Sequence, residues 1–153
     1  VRAPEGELNR NSNRLTLTGG VTMNYSEGDI SSNRLQAWLD DDKYIFQENV
    51  VFKQEDEDKT MELETPYLEL KEKEESFLAK NGVVINYNKR TLKSDEAVYS
   101  EKDNKLTLTG NVYIEEENGD WVRGKKAVFI MDSESEDFTV DGDVEVELDI
   151  ASD

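Results

Sequence analysis

The stretch KLTLTGNVYIEEENGDWVRGKKAVFIM, Lys105 to Met131, decides the fold. Leu106, Leu108, Val112 and Ile114 share one parity, Thr107 and Thr109 the other. A period of two over that length is a half-buried β-strand, one face on a core and one in water. Gly110 stands on the inward parity, where a side chain belongs, so the strand turns a sharp corner there and keeps its register. Asn118-Gly119 signals a hairpin, and a second strand returns through Ala127, Phe129 and Met131. The unit is a strand with a corner, a turn and a returning strand.

The unit recurs. With the valine after the corner as marker, the copies are LTLTGGV ending at Val21, YIFQENV at Val50, FLAKNGV at Val83, LTLTGNV at Val112 and FTVDGDV at Val144. The spacings are 29, 33, 29 and 32 residues. Four residues before the valine stand Leu17, Phe46, Ala79, Leu108 and Val140; two after it stand Met23, Phe52, Ile85, Ile114 and Val146. The corner position reads Gly19, Glu48, Asn81, Gly110 and Gly142. Glycine and asparagine tolerate positive φ, and Glu48 departs from that rule. A period near 30 built only of strands predicts an all-β protein of about five stacked strand-corner-hairpin repeats, none able to bury its apolar face alone.

The run TGNVYIEEENGDWVRGKKAVF, residues 109–129, resembles the OstA-like periplasmic domain shared by LptA, LptC and the N-terminal part of LptD. These are lipopolysaccharide transport proteins of bacteria with two membranes. Leu108, Gly110, Asn111, Val112, Gly124, Ala127 and Phe129 match that domain's most recognisable element, and the register extends over residues 8 to 150. The resemblance implies a twisted, partly open antiparallel β-jellyroll with a greasy interior that carries lipid acyl chains, and a periplasmic location. The near-complete repeat array at this length favours an LptA-like protein over an LptC-like one or an LptD domain. Departures are Glu48 at a corner and the acidic surface.

The chain has 153 residues, 35% hydrophobic and 35% charged, with no Cys and no His. That length suits one domain with a real core, and strands that bury one face need only every second residue apolar. Without Cys or His, disulfides, thiolate chemistry, a serine–histidine triad and a His-based zinc site are all excluded. No run approaches the ~18 apolar residues of a membrane span. The start at Val1 fits a removed signal peptide or anchor, or a shortened chain. Net charge of −18 argues against nucleic acid and against attraction to anionic membrane surfaces. A solvated outer face accounts for the acidic residues. The alternative is divalent cation binding at Asp40-Asp41-Asp42, at Glu55 to Asp58, or around Asp141 and Asp143, none of which has EF-hand spacing.

Val1 to Asn13, polar and carrying Pro4 and Gly6, reads as an arm or a frayed first strand. Residues 14–150 read as the single domain and 151–153 as a tail. Predicted strands run over Leu15–Tyr25, Ile30–Leu39, Tyr44–Lys53, Met61–Leu70, Phe77–Tyr87, Leu92–Tyr99 and Leu106–Glu115. The last covers Phe138–Ile150, with Val144, Val146, Leu148 and Ile150 inward. Pro66 belongs at an edge or a bulge. Leu92 to Ala97 and Val122 to Ala127 are odd steps, so each returning strand carries a bulge or second corner.

With 36 carboxylates, chance pairs are common and no carboxylate pair argues for an enzyme. No Gly-rich phosphate loop is present and nothing calls for a cofactor or a metal. The leading expectation is a binding protein that shields acyl chains of lipopolysaccharide or a related glycolipid. The inward set Leu17, Val21, Phe46, Val50, Phe52, Val83, Ile85, Leu108, Val112, Ile114, Phe129, Val140 and Val144 would line its groove. The alternative, from another class, is an acidic structural β-solenoid of a surface layer or adhesin, with a filled core and cation-dependent stacking. An open stack also has two unpaired edges, expected at Leu15, Leu17, Val21 and Met23 and at Phe138, Val140, Val144 and Val146. The first is uncharged and the last carries Asp141, Asp143, Glu145, Glu147 and Asp149. That contrast predicts head-to-tail homo-oligomers rather than like-with-like contact, and the family resemblance implies edge pairing with LptC-like and LptD-like bridge proteins.

Overall fold

The computed structural model describes residues 1–25, 28–56, 59–131 and 137–148. Of the residues named above, Glu57, Asp58, Asp149, Ile150 and the 151–153 tail lie outside the described residues. The described residues contain no helix and form one antiparallel sheet of eleven strands. These are β1 (Glu5–Asn9), β2 (Arg14–Tyr25), β3 (Gly28–Trp38), β4 (Lys43–Asp56), β5 (Lys59–Lys71), β6 (Ser76–Tyr87), β7 (Arg90–Ser100), β8 (Lys105–Glu115), β9 (Trp121–Ile130), β10 (Phe138–Asp141) and β11 (Glu145–Glu147). Spatial order follows chain order from β1 to β10, and β11 pairs with the other half of β9.

The sheet is bent along one line. In β2, β4, β6 and β8 two residues stand against one on the following strand. Gly19-Gly20 oppose Asn33, Glu48-Asn49 oppose Pro66, Asn81-Gly82 oppose Asp95, and Gly110-Asn111 oppose Lys125. Both residues of every pair have positive φ, as do Gly142-Asp143 between β10 and β11. Two consecutive left-handed residues re-aim a strand sharply, so the bulges line up as a crease across the whole sheet. Glu48 obeys the geometry that its residue type resists, with φ 66°. Pro66 sits at its bulge because the interrupted ladder needs no N–H there.

The crease divides the sheet into two layers. Layer one holds β1, residues 14–18, 34–38, 43–47, 67–71, 76–80, 96–100, 105–109 and 126–130, and β10. Layer two holds residues 21–25, 28–32, 50–56, 59–65, 83–87, 90–94, 112–115 and 121–124, and β11. Inward residues of both layers form one core: Phe46, Leu68 and Leu108 from layer one, Ile30, Leu63, Ile85 and Ile114 from layer two, all fully buried. The fold is a jellyroll-like sandwich made by one sheet closing on itself.

Three expectations need correction. Leu15–Tyr25 is not an open edge along its length: β1 pairs with its first half, Glu5↔Thr18 through Asn9↔Arg14, and in its second half Arg2 bridges to Thr22. The hairpin turn is held by Asn9 Oδ1, which accepts the N–H of Asn11 and of Ser12. Nor is the last strand continuous: it breaks at Gly142-Asp143 into β10 and β11. Finally, Val144, Val146 and Leu148 keep the inward parity yet are 46%, 50% and 58% exposed, because the inner face of layer two runs past its cover there. Gly124 marks the last place where the layers press together: a methyl group on it would collide with Val140 of β10.

Glu48→Gly is expected to raise stability by about 1 kcal/mol, since an L side chain in the left-handed region costs about that much. The urea midpoint should rise at unchanged slope. Gly124→Ala should lower stability by about 1–3 kcal/mol through overpacking against Val140.

Candidate functional site

The interior between the layers is the site the sequence points to. Of its predicted lining, Val21, Phe46, Val50, Phe52, Val83, Ile85, Leu108, Val112, Ile114 and Phe129 are buried, while Leu17 and Val140 are partly buried against the same core. Val144 is outside it. The structure thus brings together all but one of the predicted residues, and packs them: Phe46 is 0% and Phe52 3% exposed. The interior of the middle repeats is filled by side chains rather than lined by them.

Three polar residues in this core are absent from the sequence-based expectation. Ser32, Thr65 and Ser94 are buried opposite the marker valines Val21, Val50 and Val83, and Gly124 takes the same place opposite Val112. Each hydroxyl donates across the bulge to a backbone carbonyl two residues on: Ser32 to Arg34 O at 2.9 Å, Thr65 to Tyr67 O at 3.1 Å, Ser94 to Glu96 O at 2.9 Å. Thr65 also reaches Lys80 O at 3.0 Å. A bulge takes carbonyls out of the ladder, and a short hydroxyl satisfies them without opening the core. The readable signal was a small residue just before Asn33, Pro66, Asp95 and Lys125.

Opposite the crease, the strand ends of the two layers meet along a mouth closed by rings. Tyr25 meets Phe52 edge-on at 6.2 Å, Phe52 meets Phe77 at 6.1 Å, and Phe77 stacks on Tyr99 at 5.3 Å between centroids. Tyr25 and Phe52 belong to layer two, Phe77 and Tyr99 to layer one. Farther along, Phe138 stacks on Phe129 at 4.9 Å, and the Arg90 guanidinium of layer two lies 5.1 Å from the Phe138 ring centre. Arg90 Nε is 2.8 Å from Glu116 Oε1. Burial first, then the carboxylates of Glu101, Glu72 and Glu75, push the Tyr25 phenol above its ordinary pKa; burial and Glu101 do the same for Tyr99.

The outer faces differ in charge. The outward residues of layer one from β2 to β9 include Arg14, Arg34, Lys43, Lys71, Lys80, Lys105 and Lys126 against Glu69 and Glu96. Those of layer two include Asp29, Glu55, Glu62, Glu64 and Glu115 against Lys53, Lys93 and Arg123. The acid is therefore concentrated in layer two and in the turns, such as Asp40 to Asp42 and Glu72 to Glu75. Among the described residues, no group of three or more Asp or Glu is placed to hold a metal ion. A surface pocket of about 390 Å³ lies beside the last corner, lined by outward Tyr113, Arg123 and Glu145 with Lys125 and Asp143.

The sequence matches the family described as LptA/(LptD N-terminal domain) LPS transport protein over residues 1–136. Among solved structures, the fold is similar to LptH of Pseudomonas aeruginosa, the LptA homologous periplasmic component of that organism's lipopolysaccharide transport device. The TM-score is 0.66 at 10% identity, covering 86% of this chain and 96% of that one. At this identity the likeness is one of fold. No curated protein sequence gives a significant match.

The tyrosines give a pH test. Each shifted phenol holds its proton more tightly folded than unfolded, so its contribution is complete below the unfolded value of 10.0 and is lost as pH rises through the folded one. Tyrosinate absorbance should therefore appear at higher pH in the folded protein than in urea, and the thermal midpoint should fall above that value. The double variant Tyr25→Phe/Tyr99→Phe should show a shallower fall.

Proposed function

The chain belongs to the LptA and LptD N-terminal-domain family of lipopolysaccharide transport proteins, and from that membership we propose that it is a periplasmic carrier which shields lipid A acyl chains between its two layers on the way to the outer membrane. The observation that carries this reading is the interior. It is an apolar seam running through every repeat from Val21 to Phe129, continuous with uncovered inward residues at both ends. Leu8 is 47% exposed at the first end, and Val146 holds the same kind of position at the last. Each buried methylene of an acyl chain contributes about 0.8 kcal/mol, so such an interior binds lipid tails without any specific polar contact. The only buried polar side chains among the described residues, Ser32, Thr65 and Ser94, are already bonded to backbone. The phosphates and sugars of the lipid stay outside.

The ends supply the partner contacts. The outermost backbone of layer one is β1 at the head and β10 at the tail; that of layer two is Val21–Tyr25, bridged at Thr22 by Arg2, and β11. The tail carries Asp141, Glu145 and Glu147, whereas the head sets Arg2, Arg10 and Arg14 against Glu5 and Glu7, so charge favours head on tail over tail on tail. Apolar fit agrees: Leu8, Leu15 and Leu17 stand uncovered or half-covered at the head, Val144, Val146 and Leu148 at the tail. Head-to-tail addition of copies, or of bridge proteins of the same fold, continues both layers and extends the interior.

A photo-crosslinking side chain at Phe52, Ile85 or Ile114 should label with lipopolysaccharide, and one at Thr16, Thr107, Glu115 or Glu145 should not. Equal labelling of the two sets would refute the interior site. For the ends, sedimentation should show association that grows with concentration and with salt, which screens the net charge of −18. Leu8→Asp and Val146→Asp should each stay monomeric alone. An equal mixture should form a dimer and nothing larger, because one intact head meets one intact tail. Self-association of either variant alone would mean that like ends pair.

A further inference from the structure

The filled interior sets a condition on the carrier reading. Phe46, Leu63, Leu68, Ile85, Leu108 and Ile114 are fully buried against one another, so an acyl chain finds room only if one layer moves away from the other. The two long sides of the sandwich are not alike in how they resist that movement. Along the crease the layers are one continuous chain, but the ladder is interrupted at every pair of left-handed residues from Gly19-Gly20 to Gly142-Asp143. Small rotations at such bulges change the angle between layers without breaking the hydrogen bonds inside either one.

Along the mouth the described backbone bonds run within a layer. Glu72 N–H donates to Asp42, Glu101 to Glu75 and Met131 to Asn104 in layer one, and Asn88 to Thr60 in layer two. What spans the mouth is side-chain packing: Phe52 on Phe77, and Arg90 over Phe138. Aromatic rings suit a closure that must part. They are rigid with only two side-chain torsions, and they lie against methylenes as readily as against one another.

We propose, resting on the carrier reading above, that acyl chains are admitted sideways through this aromatic mouth, with the crease as the hinge and the Phe52–Phe77 contact as the clasp, rather than threaded in from the ends. The ends then serve for passing lipid between joined copies, and the mouth for loading it.

The chain has no cysteine, so introduced ones are unique. A Phe52→Cys/Phe77→Cys protein would be joined by a short bismaleimide with a reducible bond in its linker. A Tyr25→Cys/Glu101→Cys protein, which leaves Phe52 and Phe77 in place, gives a second staple across the same mouth. Uptake of fluorescently labelled lipopolysaccharide would be followed for parent, stapled, reduced and singly capped proteins, with circular dichroism confirming the fold of each. The stapled proteins should load at least about tenfold more slowly than the capped ones, as expected when a lid must open before binding, and cleaving the linker should restore the rate. Loading of both stapled proteins at the parent rate would overturn the mouth as the route while leaving the interior site standing. A parent protein that takes up no lipid at all would overturn the carrier reading, and this proposal with it.

Discussion

Every feature of this molecule depends on the pair of left-handed residues at each corner. A single antiparallel sheet has two faces and can bury one only if something covers it. This chain supplies the cover itself, by bending all its long strands along one crease so that half of the sheet lies on the other half. The geometry is demanding enough to hold Glu48 and Asn49 in a region that side chains avoid, and to place three hydroxyls in the core where the bulges release carbonyls. It also explains how a chain that is only 35% hydrophobic makes a real core: every inward residue serves twice, closing its own layer and covering the opposite one.

Much of this was legible in the residues. The period of two named the inward set, the recurring valine gave the repeat, and glycine or asparagine marked the corner in four copies of five. Glu48 was a departure only in residue type; its backbone does what Gly110 does, and the repeat register was the better guide. The first strand was half legible: Val1–Asn13 reads as an arm or a frayed first strand. The residues do not choose between them, because Glu5–Asn9 is largely polar and its pairing depends on the open edge of β2 rather than on any pattern of its own. Parity misled at the other end. It says which face Val146 joins, but whether the opposing layer extends far enough to bury it is a tertiary fact.

The acidity follows the same division into layers. The outward side of layer one carries mostly Lys and Arg, several of them engaged locally, as Lys43 is with Glu69 at 3.2 Å and Lys80 with the Tyr67 ring at 4.5 Å. The excess negative charge sits on layer two, the turns and the tail end. The acidic tail discourages pairing of its uncovered stripe with a second tail, whereas the head, where Glu5 and Glu7 stand among Arg2, Arg10 and Arg14, does not repel it.

On the carrier reading proposed above, a protein packed solid when empty would trade one set of apolar contacts for another, and the magnitudes would suit release as well as capture. Each ring pair across or along the mouth is worth about 0.5–1.5 kcal/mol beyond its buried area, and an acyl chain of about ten methylenes brings about 8 kcal/mol. Against that gain stand the layer-to-layer contacts that the chain displaces, which have the same physical origin and comparable size per unit area. The exchange is therefore near balance, set by how many residues part rather than by any polar lock. On that reading an interior with fixed polar anchors would hold its cargo, whereas one closed by Phe52, Phe77 and their neighbours would give it up whenever an adjoining interior offered equal cover.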